Sequence, residues 1–112
     1  MSNGNLPQRP ELRAVDVFPV DGEQGRKAFG IRDPQHITDK ILHLPAEAAY
    51  ALQFFDGQHT LPAIQVAFQE KYKAEFPLEL LQQLCRLLDS GHFLSGESFD
   101  GYYQRVKYSF LE

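Results

Sequence analysis

Apolar and polar positions alternate with a period near two in the first half of the chain and near three and a half in the second. From Leu12 to Val20, Val15 and Val17 fall on one face and Asp16, Phe18 and Val20 on the other, with Pro19 near the end. Alternation with β-branched residues predicts a half-buried strand. Asp21 to Gly25 supplies the Asp and Gly that a tight reversal needs. Arg26 to Arg32 alternates again, with Phe29 and Ile31 on one face, and Asp33-Pro34 closes it. A third run, Asp39 to Leu44, places Leu42 and Leu44 together against Ile41 and His43. A three-stranded antiparallel sheet is the expectation.

Helices follow. Pro45 suits the first turn of a helix over Ala46 to Phe55, with Ala48, Leu52 and Phe55 on one stripe and Asp56-Gly57 as its stop. Thr60 is a suitable N-cap for a second helix with Pro62 in its first turn, and Leu61, Ile64, Phe68 and Tyr72 make an amphipathic stripe. Phe76-Pro77 interrupts. Leu80, Leu81, Leu84, Leu87 and Leu88 form the stripe of a third helix, which Ser90-Gly91 ends. Phe93-Leu94 reads as a short extended wing turned by residues 95–98, and Tyr102, Val106 and Phe110 suggest a C-terminal helix. The fold class is therefore α+β and winged-helix-like: three strands, three helices, a short wing and a helical tail. Residues 1–11 read as a flexible lead-in, 12–98 as the domain, and 99–112 as a helical tail or a linker to a further domain. Leu111-Glu112 fits a native end and the scar of an appended tag equally well, so whether the chain is a fragment stays open at this point.

Composition supports one domain. The 112 residues are 43% hydrophobic and 23% charged, with nine Phe and five Tyr, enough for a core that needs no metal or disulfide. The single Cys85 has no intramolecular partner, and no apolar run approaches a membrane span. A cytoplasmic protein that does not enter a membrane is expected.

Candidate chemistry is sparse. His36, His43, His59 and His92 are scattered, without spacings of three or four that would suit zinc. Cys85 sits among leucines, where a small buried apolar role outweighs a nucleophilic one. Gly22 and Gly25 lie in a turn with no Lys-Ser or Lys-Thr after them, so no phosphate loop results. No carboxylate pair stands out for acid–base work. No catalytic residue, metal or cofactor is expected, and the chain reads as a non-enzyme. Nucleic acid is disfavoured too: the net charge is −4, and Arg86, Gln82 and Gln83 on the third helix are opposed by Glu79 and Asp89. What is left is the sheet, since an exposed strand edge is a template for another chain. A covered edge is the equal alternative.

The run Lys40-Ile41-Leu42-His43-Leu44-Pro45, the helix ending Phe54-Phe55-Asp56-Gly57, then Thr60-Leu61, Ile64, Tyr72 and the leucines 80, 84, 87 and 88 resemble the PqqD-like family, also called the RiPP recognition element. Phe18-Pro19-Val20, Arg32-Asp33-Pro34, Asp56-Gly57 and the closing Phe99, Tyr103 and Arg105 look more like the N-terminal domain of bacterial AmmeMemoRadiSam system protein B. Together the resemblance spans about residues 9 to 110. PqqD-like domains bind the leader of a precursor peptide as a strand beside their third strand, packed on the third helix. The resemblance implies a peptide-binding surface of Asp39, Lys40, Ile41, Leu42, His43 and Leu44, with Gln83 and Arg86 on the third helix. In the second family the domain precedes a Memo domain similar to metal-dependent extradiol dioxygenases, which is absent from this chain. The implied partner is a peptide or protein, a downstream Memo-like domain or a radical SAM enzyme among the candidates. Its implied role is to present that partner to an enzyme. The alternative is a structural role, docking on the downstream catalytic domain of a larger enzyme or dimerisation through the tail residues Tyr102, Tyr103 and Phe110, with a monomer favoured.

Overall fold

The computed structural model describes residues 6–95 of the chain. Strands β1 (Asp16–Asp21), β2 (Lys27–Arg32) and β3 (Ile41–Pro45) form one antiparallel sheet in the order β1-β2-β3. Helix α1 (Ala46–Ala51) tightens into a 3-10 turn over Leu52–Phe54, and α2 (Leu61–Tyr72) and α3 (Leu78–Ser90) follow. The expected α+β order of three antiparallel strands and then three helices is what the chain adopts.

Register aligns Val17, Ile31 and Leu42 across one face of the sheet and Phe18, Gly30 and His43 across the other. The first face meets the helices, where Ile31 is fully buried and Leu44 nearly so. On the second face the Phe18 ring lies over its cross-strand neighbour Gly30, where a Cβ would come within 2.5 Å of ring carbons. The aromatic ring covers the gap a glycine leaves in a strand. The Arg32 guanidinium lies 5.5 Å from the centre of the same ring.

β1 is shorter than the alternation predicted. Leu12 and Arg13 leave the sheet direction and run between two other segments. The Leu12 N–H donates to the Phe55 carbonyl at 2.9 Å and the Arg13 N–H to the Phe93 carbonyl at 2.8 Å. The N–H groups of Gly57 and Ser95 donate to the carbonyls of Pro10 and Glu11. Backbone groups in the 55–57 and 93–95 segments need partners, and this stretch supplies them. Part of the segment read as a lead-in is thus built into the fold: Pro10 is buried and Leu6 packs on the core. The extended piece read as a wing is interior. Phe93 and Leu94 are buried, and Leu94 bridges to Leu12. The turn of residues 96–98 and the tail of 99–112 lie outside the described residues.

The helix boundaries have local causes. Pro45 ends β3 and, with extended dihedrals, stands just before α1 rather than inside its first turn. No linker separates strand from helix. Thr60 caps α2 as expected, its hydroxyl accepting from the Ala63 N–H at 3.3 Å. Leu61, Ile64 and Phe68 are buried below it. Lys73 stops α2 in a left-handed conformation, φ 57°. In α3 the leucines divide: Leu81, Leu84, Leu88 and Cys85 enter the core, whereas Leu80 and Leu87 are 47% and 43% exposed.

The loop into β3 is tied down by Asp33. Its carboxylate accepts from the N–H groups of Gln35 at 2.9 Å, Ile37 at 2.9 Å and Thr38 at 3.2 Å, and from the Arg13 guanidinium at 3.1 Å. Arg13 Nε donates to the His92 carbonyl at 2.9 Å. One buried ion pair therefore links the N-terminal stretch, the entry to β3 and the segment after α3. Burial pushes the Asp33 carboxyl up, but the hydrogen bonds from Gln35, Arg13 and Thr38 outweigh it and leave it below the usual carboxylate range.

Candidate peptide-binding groove

β3 lies at the end of the sheet and pairs only with β2, so among the described residues its outer edge has no strand partner. Alternation sends Leu44 into the core and Ile41 and His43 outward, Ile41 being 51% exposed. Because Pro45 passes directly into α1, the edge runs without a break into a groove between α1, α2 and α3.

The groove has a volume of about 510 Å³. Leu44, Ala48, Phe68, Phe76 and Leu84 line its buried part, and Tyr50, Tyr72, Leu80 and Leu87 stand at more open positions. The aromatic residues brace each other: Tyr50 stacks on Tyr72 at 5.3 Å between ring centres, and Phe68 contacts Tyr72 at 4.8 Å and Phe76 at 5.1 Å. Gln53 fixes this wall, donating to the Tyr50 carbonyl at 2.8 Å and to the Tyr72 hydroxyl, while Lys71 Nζ donates to Gln53 Oε1 at 2.6 Å. Gln65 donates to the Phe76 carbonyl at 3.0 Å and holds the α2–α3 link against α2. The polar lining is Glu47, Glu75 and Gln83. A groove of this kind accepts apolar side chains, and a free strand edge accepts the backbone that carries them.

Of the residues expected at the site, Leu44 and Gln83 line the groove. Asp39 and Lys40 are exposed on the approach to β3, and Ile41 and His43 lie on its outward face. Leu42 is half-buried and packs on the core. Arg86 is apart from these. It lies on another flank of α3, in a hollow lined with Leu6, Pro7, Thr60, Pro62 and Gln82. Residues 83 and 86 are three apart, but the helix turns one toward the groove and the other toward the N-terminal stretch. Tyr50, Tyr72, Leu80, Leu87, Glu47 and Glu75 were not anticipated. Five leucines within nine positions of α3 are more than one buried stripe takes up, and that excess is the signal that a second apolar face exists.

Other candidates are quiet. Cys85 is fully buried, and burial, then the charge of Asp89, push its thiol up to about 11, so it is protonated at neutral pH. Asp56 and His59 pair at 3.0 Å on the surface, and Asp56 is held low by that hydrogen bond and by the Gln58 N–H. Among the described residues, no three His, Cys, Asp or Glu gather as metal ligands, and no helix is long and apolar enough to cross a membrane.

No family model matches the chain, and no solved structure matches it. The chain is similar to a protein described as a MEMO1 family protein from Aquifex aeolicus (strain VF5). The two are 28% identical over 91 residues, which cover 81% of this chain and 23% of the relative. The chain thus spans about a quarter of the length of the curated relative it matches. The likeness bears on the Memo-related part of the resemblance drawn from the sequence and is silent on the PqqD-like part.

Proposed function

We propose that this chain is a non-catalytic module of a Memo-associated system that binds an extended segment of a partner protein by adding it as a strand to β3. The observation that carries the reading is the continuity of the outer edge of β3, which has no strand partner among the described residues, with an apolar groove. Backbone hydrogen bonds would set the register, and alternate side chains would enter the groove beside Leu80 and Leu87. Covering these two half-exposed leucines contributes about 1 kcal/mol each. The similarity to a MEMO1 family protein about three and a half times as long makes a Memo-like domain, in the same or a separate chain, the first partner to test, and a radical SAM enzyme the second.

The test is an affinity pull-down from the host's soluble extract with four folded baits: the original chain, Ile41→Pro, Leu42→Pro and Arg86→Ala. β3 residues alternate between facing β2 and facing outward, so one of the two prolines removes an outward N–H. The expected result is a partner held by the original and by Arg86→Ala, and lost by one proline variant. A partner held equally by all four removes strand addition.

A second reading, docking on a larger enzyme without strand addition, is favoured by the small share of the relative that matches. It predicts that the partner's contact maps to a surface away from β3 by cross-linking.

A further inference from the structure

Among the described residues, the lining of the proposed binding groove carries charge of one sign. Its two charged lining residues, Glu47 and Glu75, are both acidic and both exposed. Among the described residues no Lys or Arg lines the groove: exposed Lys40 stands before β3, at the other end of the strand from Pro45. Lys71 is engaged with Gln53 and lies against the Tyr72 ring. Lys73 lines a separate hollow with Val66, Gln69 and Glu70. Arg86, the one basic residue of α3, is on the flank occupied by Leu6 and Pro7. Glu47 belongs to α1 and Glu75 to the link before α3, so two different elements bring their carboxylates to one apolar groove.

From this complementarity we infer that the occupant of the groove is an extended peptide segment that pairs bulky apolar side chains with a lysine or arginine close beside them. The inference rests on the strand-addition reading above and adds the class of sequence selected. Apolar residues fill the space along Leu44, Phe76, Leu80 and Leu84, while a cation beside them faces Glu47 or Glu75. An acidic segment would set its own carboxylates against these two without a compensating cation in the lining, so the groove discriminates by repulsion as well as attraction. Exposed pairs are individually weak and screened by salt. The preference should therefore be strong at low ionic strength and fade as salt is added.

A displayed library of random dodecapeptides tests the idea without a known ligand. The library is selected in parallel on the original chain, on Glu47→Gln/Glu75→Gln, and on Leu80→Asp. All three changes are at exposed positions, and circular dichroism verifies that each variant folds. The expected winners on the original chain are enriched in Lys or Arg next to Leu, Ile, Phe or Tyr, and fail on Leu80→Asp. A synthetic winner should bind the Gln/Gln variant about fivefold more weakly at low salt, by fluorescence anisotropy. Groove-dependent winners with no excess of positive charge, or with equal affinity for the Gln/Gln variant, overturn the charge preference and leave the groove reading standing. Absence of winners, or winners that bind Leu80→Asp unchanged, removes the groove reading and the preference with it.

Discussion

At the scale of single residues, Asp33 anchors the loop that leads into β3. Its side chain is inaccessible, and Arg13 is 9% exposed, so the pair is not a surface ion pair of negligible value. Three backbone N–H groups of the loop into β3 converge on the same carboxylate. Asp33→Asn keeps the shape but removes the buried carboxylate charge that faces Arg13. A loss of about 3 kcal/mol at neutral pH is expected from urea denaturation. The pH dependence has a definite sign. The folded carboxyl titrates below its unfolded value of about 3.9. Its stabilisation is complete above that value and is lost as pH falls through the folded one. The gap between the original chain and Asp33→Asn should narrow below about pH 4. A gap that stays constant from pH 7 to pH 3 would show that the charge of Asp33 contributes nothing.

At the scale of elements, α3 serves two surfaces at once. Leu81 is inaccessible in the core, while its neighbour Leu80 is about half exposed beside the groove. Leu81→Ala removes buried methyl groups and leaves a cavity, with an expected cost of about 3 kcal/mol. Leu80→Asp should change stability by no more than about 0.5 kcal/mol, yet abolish retention of a groove-bound partner. Urea denaturation and the pull-down, run on both variants, separate these outcomes. If Leu80→Asp unfolds the domain, or keeps its partner, the division of labour along the helix is wrong. The element before it shows the same economy. Pro45 has no N–H to donate and a fixed φ, so it can end a strand and begin a helix without an intervening loop. That fusion places the strand edge at the mouth of the groove.

At the scale of the whole molecule, the N-terminal stretch is a strap. It joins the turn after α1 to the segment after α3 through the backbone of residues 10–13, and Arg13 extends the connection to Asp33. Gly57 packs directly against the strap. Its φ is +79°, and a Cβ there would sit 3.3 Å from Glu11 Cβ, so both backbone conformation and space favour glycine. Deleting residues 1–13 should destabilise the domain by more than Asp33→Asn does, because Leu12 is lost together with the ion pair. Hydrogen exchange locates the effect. The amides of Gly57 and Ser95, which donate to Pro10 and Glu11, should lose protection ahead of those in the middle of α2. Equal protection with and without the strap would mean that the two ends are held by the helices alone.

Much of this fold was readable from the order of residues, because period and punctuation are local properties. The alternation of Phe29 with Ile31 and of Leu42 with Leu44, the Thr60 cap and the Phe76-Pro77 break act through neighbours a few positions away, and they fixed the element order and most boundaries. The outward direction of Ile41 and His43 followed from the same period of two. The site was less readable. The resemblance led to β3 and to Gln83, but it grouped Arg86 with them, and only the rotation of α3 against its neighbours separates these two. Tyr50, Tyr72, Glu47 and Glu75 come from α1, α2 and the link before α3, and nothing in their spacing announces a common groove. Leu12 read as part of a strand on its own alternation, whereas the unmet backbone groups of 55–57 and 93–95, more than forty and eighty residues away, decided its partners. Sequence by itself determined the type and order of the three strands and three helices, through local dihedral preference and hydrophobic period. Only tertiary structure decided which residues line the groove and which leucines stay outside, because both depend on what packs beside them.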